Sequence, residues 1–218
     1  MLVDFEALYK FRFRDVDLDK RKEVWVPISH FIYEMSGRPK SVLDPACGLG
    51  EFINSIPANE RWALDLGING QELEDGIKFE QCSFTESNLP SGHFDLIFMS
   101  NVLEHLPNQE AVNQFLIKAK DLLSNKGVVV IMGPNFKYCA KDYFDCADHS
   151  LALTHISIEE HLAAAGFETN KVIPKFLPYS FRSRLPASDR LTSMYLKSSL
   201  IWRILGKQFL IMAAPKIG

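Results

Sequence analysis

The sequence predicts an α/β fold, a doubly wound and mostly parallel sheet, from three observations. In residues 41–65 the apolar run Val42-Leu43 ends in Asp44, and a small-residue turn over 45–50 follows. A brief helical stretch over 51–56 then leads to a second apolar run, Trp62-Ala63-Leu64, which ends in Asp65. Strand, glycine turn, helix and strand in that order form the first half of a doubly wound sheet. The second observation is the continuous apolar run Val128-Val129-Val130-Ile131-Met132, as a central parallel strand buried on both faces requires. The third is the stretch 108–123, where Val112, Phe115, Leu116, Ala119, Leu122 and Leu123 share one helical face.

In such sheets ligands sit outside the carboxyl ends of the strands, and both Asp44 and Asp65 lie at that edge. Gly48 and Gly50 let the backbone approach a ligand without a Cβ in the way. Asp65, twenty-one residues after Asp44, is placed to accept hydrogen bonds from two ribose hydroxyls. A dinucleotide site would carry its first glycine directly after the strand and a third one to pack helix on strand. Here Asp44 holds the strand end, and Phe52 or Ile53 falls where the third glycine should be. A carboxylate is electrostatically wrong for a pyrophosphate but suits a ligand with an ammonium group. S-adenosylmethionine has that ammonium, a ribose and no phosphate.

These residues resemble the class I S-adenosylmethionine-dependent methyltransferases. Asp44-Pro45-Ala46-Cys47-Gly48-Leu49-Gly50 is similar to their first motif, with Ala46 where a glycine is usual, and Asp65 matches their ribose acid. Phe94 to Phe98, followed by Asn101-Val102-Leu103-Glu104-His105-Leu106, resembles their fourth strand and the loop after it. Residues 122–135, with Ser124-Asn125-Lys126-Gly127 in the turn, resemble their fifth strand and its approach. The likeness covers about residues 41–170, with flanking segments similar to a bacterial subgroup of small methyltransferases. It implies a Rossmann-like, seven-stranded, mostly parallel sheet with the last strand antiparallel and a helical insertion between strands 6 and 7. It further implies S-adenosylmethionine as cofactor, S-adenosylhomocysteine as product, and Asp44, Ala46, Cys47, Gly48, Gly50, Asp65, Leu66, Ser83, Phe84 and Asn101 as cofactor-binding residues. Where the family often has an acid for the adenine amino group, this chain has Cys82-Ser83-Phe84, so adenine recognition rests on Ser83 and the backbone. The subgroup is associated with cell-surface polysaccharide and related small-molecule pathways, so a sugar or similar precursor is the implied acceptor.

The whole chain sets the bounds. Its 218 residues, 47% of them hydrophobic and 16 of them Phe, suffice for one well-buried α/β domain. Residues 171–218 hold nine Lys/Arg against a single acid, Asp189, a local charge of +8 that leaves −11 elsewhere. That basic quarter fits an anionic partner (phosphate, nucleic acid or a membrane surface) as well as an ordinary solvated helix. The first ten residues lack an apolar signal core and no run of 18 apolar residues occurs, so the expected location is the cytoplasm. Cys47, Cys82, Cys139 and Cys146 show no C-x-x-C pairing, and neither disulfides nor a metal is expected.

In chain order, residues 1–40 form a helical leader, 41–174 the cofactor-binding core, 175–206 an insertion and 207–218 the last strand and tail. In the leader, Val24, Trp25, Ile28, Phe31, Ile32 and Met35 recur at helical spacing, with Pro27 near a start or kink, and Arg14 or Arg21 is available for the cofactor carboxylate. A third strand is expected near 77–84 and a fourth over 94–100. The loop 133–155 holds Asn135 and Tyr143 as substrate-binding candidates, and Asp148-His149; with His105, these supply the acid–base candidates. Ser157 is the expected N-cap of the next helix, with Glu160 at its third position. Arg182 and Arg184, on a proline-bounded loop, suit a phosphate or carboxylate on a compact acceptor. Leu191 to Leu205 carry apolar residues at helical spacing over a wide face, which reads as a lid, a homodimer face or a peripheral membrane element over 189–205. Two other functions stay open: a non-catalytic nucleoside-binding regulatory subunit, and a nucleic-acid methyltransferase. Ser100-Asn101-Val102-Leu103, standing where nucleic-acid enzymes carry an N-P-P-Y-type tetrapeptide, disfavours the latter.

Overall fold

The computed structural model describes residues 5–12, 14, 17–67, 70–179 and 188–216. Seven strands form one sheet: β1 (Ser41–Asp44), β2 (Glu60–Leu64), β3 (Lys78–Glu80), β4 (Phe94–Ser100), β5 (Leu123–Pro134), β6 (Phe167–Ile173) and β7 (Gln208–Pro215). Their spatial order is β3-β2-β1-β4-β5-β7-β6, with β7 antiparallel to both neighbours and the other pairings parallel. The expected sheet is present in full. The chain winds outward from β1 through β2 to β3, then returns to place β4 on the other side of β1, so the order reverses between β1 and β4. A crevice at the carboxyl ends of those two strands follows from that reversal.

Helices cover both faces. On one face α4 (Gln109–Leu122) and α6 (His155–Ala164) close a core around Phe94, Ile97, Phe115, Val129 and Phe167. On the other, α2 (Leu18–Met35) and α3 (Glu51–Ser55) close a core around Ile32, Phe52, Phe98, Val130 and Phe176. Asp17 caps α2 by accepting from the backbone N–H of Lys20 (3.2 Å), and Pro27 lies within the helix. Phe98 is fully buried, its ring 4.0 Å from that of Phe52 and edge-on to Trp25, so it joins β4 to the helices that wall the crevice.

Several elements differ from expectation for local reasons. β3 is three residues long because Phe84 drops into the core against Phe115 (4.4 Å between rings), which turns Phe84–Glu86 into a 3-10 helix. β5 begins at Leu123, ahead of Gly127, because Leu123 pairs with Phe94 before a register shift. Thr154, not Ser157, caps α6: Ser157 N–H donates to the Thr154 hydroxyl (3.1 Å) and the Ser157 hydroxyl accepts from Thr154 N–H (2.9 Å). Leu153 is pinned in the core just before it, so the chain turns one residue later, at Thr154. Loop 133–155 contains a helix, α5 (Phe136–Tyr143).

The stretch expected as one helix before the last strand is two, α7 (Asp189–Leu196) and α8 (Ser199–Leu205). Trp202 turns inward, packing edge-on to Phe31 (5.8 Å) and Phe176 (5.4 Å) while its N–H donates to the Tyr195 carbonyl. Leu200 and Ile204 face outward at 68% and 79% exposure. An outward apolar contact would therefore run through these two residues, and a substitution at Trp202 would report core packing instead. Among the described residues no helix is long and apolar enough to cross a membrane.

Truncating Phe98 to Ala should cost about 3–5 kcal/mol of stability through lost burial and the cavity left behind. Urea unfolding of Phe98→Ala against the parent chain measures this; a loss under about 1 kcal/mol would mean the crevice wall does not depend on that ring.

Candidate active site

The crevice holds a cavity of about 90 Å³ at the carboxyl ends of β1 and β4. Its floor is the turn after β1. Gly48 and Gly50 adopt left-handed backbone (φ 51° and 77°), which favours glycine. A Cβ at Gly48 would meet nothing within 4 Å, so the backbone there lies open toward the cavity it lines. Cys47 N–H donates to the Leu64 carbonyl and Gly50 N–H to the Cys47 carbonyl (both 2.9 Å), which fastens the turn to β2. Asp65, directly after β2, accepts from Gly48 N–H (2.9 Å) and Gly67 N–H (2.7 Å) through different oxygens. Each oxygen keeps a second lone pair for a ribose hydroxyl. Leu66 beside it is exposed, and the Ser83 hydroxyl pairs with that of Thr85 (2.9 Å). Phe84 points into the core, so only its backbone is available to an adenine.

Asp44 is 3% exposed, and Ala46 N–H donates to it (3.3 Å). Burial pushes its carboxyl up to about 8, against that hydrogen bond and with added repulsion from Asp65 and Glu51. Glu51 is buried and ion-paired with Arg21, and both line the cavity, Arg21 from helix α2. Arg14 does not: its guanidinium lies over the Phe11 ring and donates to the Phe11 carbonyl. Arg12, Trp25 and Tyr179 complete the wall.

The opposite wall comes from β4 and the loop after β5. Asn101 has φ 51°, its N–H donates to the Met132 carbonyl (2.9 Å), and its amide donates to the Ser100 hydroxyl (2.9 Å). Leu103 is buried and draws a 3-10 turn (Leu103–His105) down onto the sheet, which leaves Glu104 3% exposed against the cavity. The Glu104 carbonyl accepts from Ser150 N–H (2.8 Å) and Leu151 N–H (3.1 Å). Those two bonds bring the distant Asp148-His149 pair onto His105. His105 Nδ1 lies 3.1 Å from the Asp148 carbonyl and 3.4 Å from its carboxylate, which is also ion-paired with Arg12. The His105 and His149 rings are 4.8 Å apart. Burial pushes Glu104 up to about 7 and, with His105 adding to it, pushes His149 down to about 4.

Asn135 and Tyr143 serve the framework and do not line the cavity. Asn135 is fully buried, its amide donating to His155 Nδ1 and the Pro174 carbonyl (both 2.9 Å). The Tyr143 hydroxyl donates to the Leu151 carbonyl (2.7 Å) and accepts from Leu153 N–H (3.1 Å), while its ring packs on His149 (4.7 Å). Arg182 and Arg184 lie outside the described residues. Arg12, Trp25, Glu51, Glu104, Cys146 and Tyr179 line the cavity without having been singled out from sequence. Glu104 was legible in part, since it sits between two residues that were singled out. The others come from segments whose partners are distant in the chain.

A carboxyl whose folded pKa is raised weakens the fold as pH climbs from its unfolded value, near 3.9, to about 8, because ionising it while buried costs free energy. The penalty grows by about 1.4 kcal/mol per pH unit across that window. Asp44→Asn removes it, so the variant's gain in Tm over the parent should be larger at pH 8 than at pH 5. Equal gains at both values would show that Asp44 ionises freely.

A profile of the family described as methyltransferase domain matches residues 18–172, about seven-tenths of the chain. Solved structures share the fold at low identity. A methyltransferase of Archaeoglobus fulgidus aligns with TM-score 0.65 and 19% identity over 96% of this chain and 99% of that one. One of Thermotoga maritima aligns at 0.69 and 14% over 97% and 96%. A plantazolicin methyltransferase in complex with S-adenosylhomocysteine aligns at 0.62 and 15% over 98% and 91%. With the glycine turn, the two strand-end acids and the 3-2-1-4-5-7-6 sheet in place, the chain belongs to the methyltransferase-domain family and has the fold of the class I S-adenosylmethionine-dependent enzymes.

Proposed function

We propose that this chain methylates a small-molecule acceptor at an oxygen, nitrogen or carbon atom, with S-adenosylmethionine as the donor. The observation that carries the proposal is one cavity with two chemically distinct walls. Asp44, Ala46, Cys47, Gly48 and Leu49 of the turn form one, and Glu104, His105 and His149 form the other. When bound, S-adenosylmethionine supplies a methyl on a sulfonium, and its displacement by the acceptor leaves the C–S electron pair on sulfur as S-adenosylhomocysteine.

The protein's own part is alignment and charge. The buried Asp44 carboxylate suits the cofactor's ammonium, which restores its ionised form, and Arg21 in the cavity wall suits the cofactor's carboxylate. Asp65 takes the ribose through the second lone pair on each of its oxygens. Glu104, His105 and His149 face the acceptor, orient its nucleophilic atom and promote the loss of its proton. Arg21 and Trp25 of α2 and Tyr179 line a cavity of about 90 Å³, a size that supports a compact acceptor over a nucleic-acid strand. A sugar or other polysaccharide precursor remains the acceptor class that the resemblance suggests.

Calorimetry with S-adenosylhomocysteine should show binding in preference to NAD, weakened by about 1.5–3 kcal/mol in Asp65→Ala, the loss of a charged hydrogen-bond partner. Preference for NAD would overturn the cofactor assignment. A screen of sugar nucleotides and other small acceptors with methyl-labelled cofactor identifies the substrate. With that substrate, His149→Ala should lower kcat by roughly 10²–10⁴-fold while leaving cofactor affinity intact. Unchanged turnover would return His149 to a framework role.

A further inference from the structure

Among the described residues, two buried polar atoms on the acceptor wall have no hydrogen-bond partner, Glu104 Oε1 and His149 Nδ1. An unpaired buried polar atom costs about 1–3 kcal/mol, so native folds pair such atoms or hold them for a ligand. These two belong to one cluster: one potential ligand atom from each of Glu104, His105 and His149 lies within 4.8 Å of the others. Two ligands each about 2.1 Å from a common ion stand within about 4.2 Å of each other, so modest side-chain rotation closes the set.

The third ligand is already oriented. His105 directs Nδ1 at Asp148, both its carbonyl and its carboxylate, which leaves Nε2 for the cavity. Arg12 holds the Asp148 carboxylate in turn. A carboxylate behind an imidazole is the arrangement that fixes tautomer and ring orientation at metal sites. The cluster also opens on the cavity that Asn101 and Gly48 line, so an ion there would keep positions for a substrate atom, as catalytic sites do and structural ones do not.

We infer that Glu104, His105 and His149 form a binding site for a first-row divalent transition-metal ion that holds the acceptor's nucleophilic atom beside the cofactor. Two imidazoles with one carboxylate suit ions of the zinc, manganese, iron and cobalt group better than magnesium or calcium, which prefer all-oxygen sets. The inference rests on the methyltransferase reading above for its role, though not for its ligands. The ion would act as a Lewis acid: the acceptor's O–H or N–H loses its proton to solvent at the cavity mouth, and the freed lone pair forms the bond to the methyl carbon as the C–S bond breaks.

The test uses the tag-free full chain, stripped with a chelator and titrated with Co²⁺ alone. The expected result is one Co²⁺ per chain with visible d–d absorption, displaced by Zn²⁺. Glu104→Gln and His149→Ala should each weaken it at least about tenfold, and Asp148→Asn by about 10- to 100-fold through a loosened His105. Calorimetric S-adenosylhomocysteine affinity should be unchanged in all three variants, which also reports that they are folded. Three results would overturn the site: no stoichiometric Co²⁺, Co²⁺ bound equally by the variants, or intense thiolate charge-transfer bands that move the ion to Cys47 or Cys146. If S-adenosylhomocysteine still binds in that case, the metal site alone has failed. If Co²⁺ binds as expected and S-adenosylhomocysteine does not, the methyltransferase reading has failed instead.

Discussion

Two carboxylates buried at the carboxyl edge of one sheet, after neighbouring strands, dominate this molecule. Asp44 ends β1, and Glu104 lies just past the end of the neighbouring β4. Both are 3% exposed and both are pushed toward neutral pH by burial. Hydrophobic strands fix the positions: Leu43 and Ile97 are fully buried and pair across β1 and β4, which commits the residues after each strand to the crevice. The core thus carries a cost at its rim that a cationic partner would offset at either carboxylate. A polar group kept where it destabilises the free protein is the pattern expected of a binding site.

The two walls are assembled differently. The cofactor wall is local, a single turn braced by Asp65 from the adjacent strand. The acceptor wall joins residues more than forty positions apart, and backbone bonds do the joining: the Glu104 carbonyl holds residues 150 and 151, and Tyr143 holds 151 and 153 from the other side. His149 is thereby clamped between the rings of Tyr143 and His105. Tyr143 and Asn135 do not line the cavity; they act on the site through the loop's shape, and Tyr143 also through its ring against His149.

The C-terminal helices illustrate how an apolar stretch divides its burial. Trp202 and Leu196 turn inward with Phe176 and Phe31, and Tyr195 donates to the Phe176 carbonyl, so α7 and α8 are docked on α2. Leu200, Ile204 and Met194 remain outside. Breaking the helix at Lys197-Ser198 lets both sets be satisfied where one straight helix would present a single continuous face.

Sequence alone determined the sheet, the glycine turn and the two strand-end acids, because each is written in contiguous residues: an apolar run, a small-residue turn, an acid at fixed spacing. It also brought His105, Asp148 and His149 forward as chemically capable residues. It did not distinguish Asn135 and Tyr143, which have the same polar chemistry but spend it on the framework, on backbone groups and, for Asn135, on the His155 ring. It ranked Arg14 with Arg21, although one turn of chain direction at the end of α1 (Phe5–Arg12) sends Arg14 back onto Phe11 and leaves Arg12 to meet Asp148. Glu104 lay within a recognisable motif without standing out as a site residue, because nothing local marks a carboxylate for burial. Only the tertiary structure decided that, by seating Leu103 in the core and closing the loop over its neighbour, since burial is a property of what packs against a residue from elsewhere in the chain.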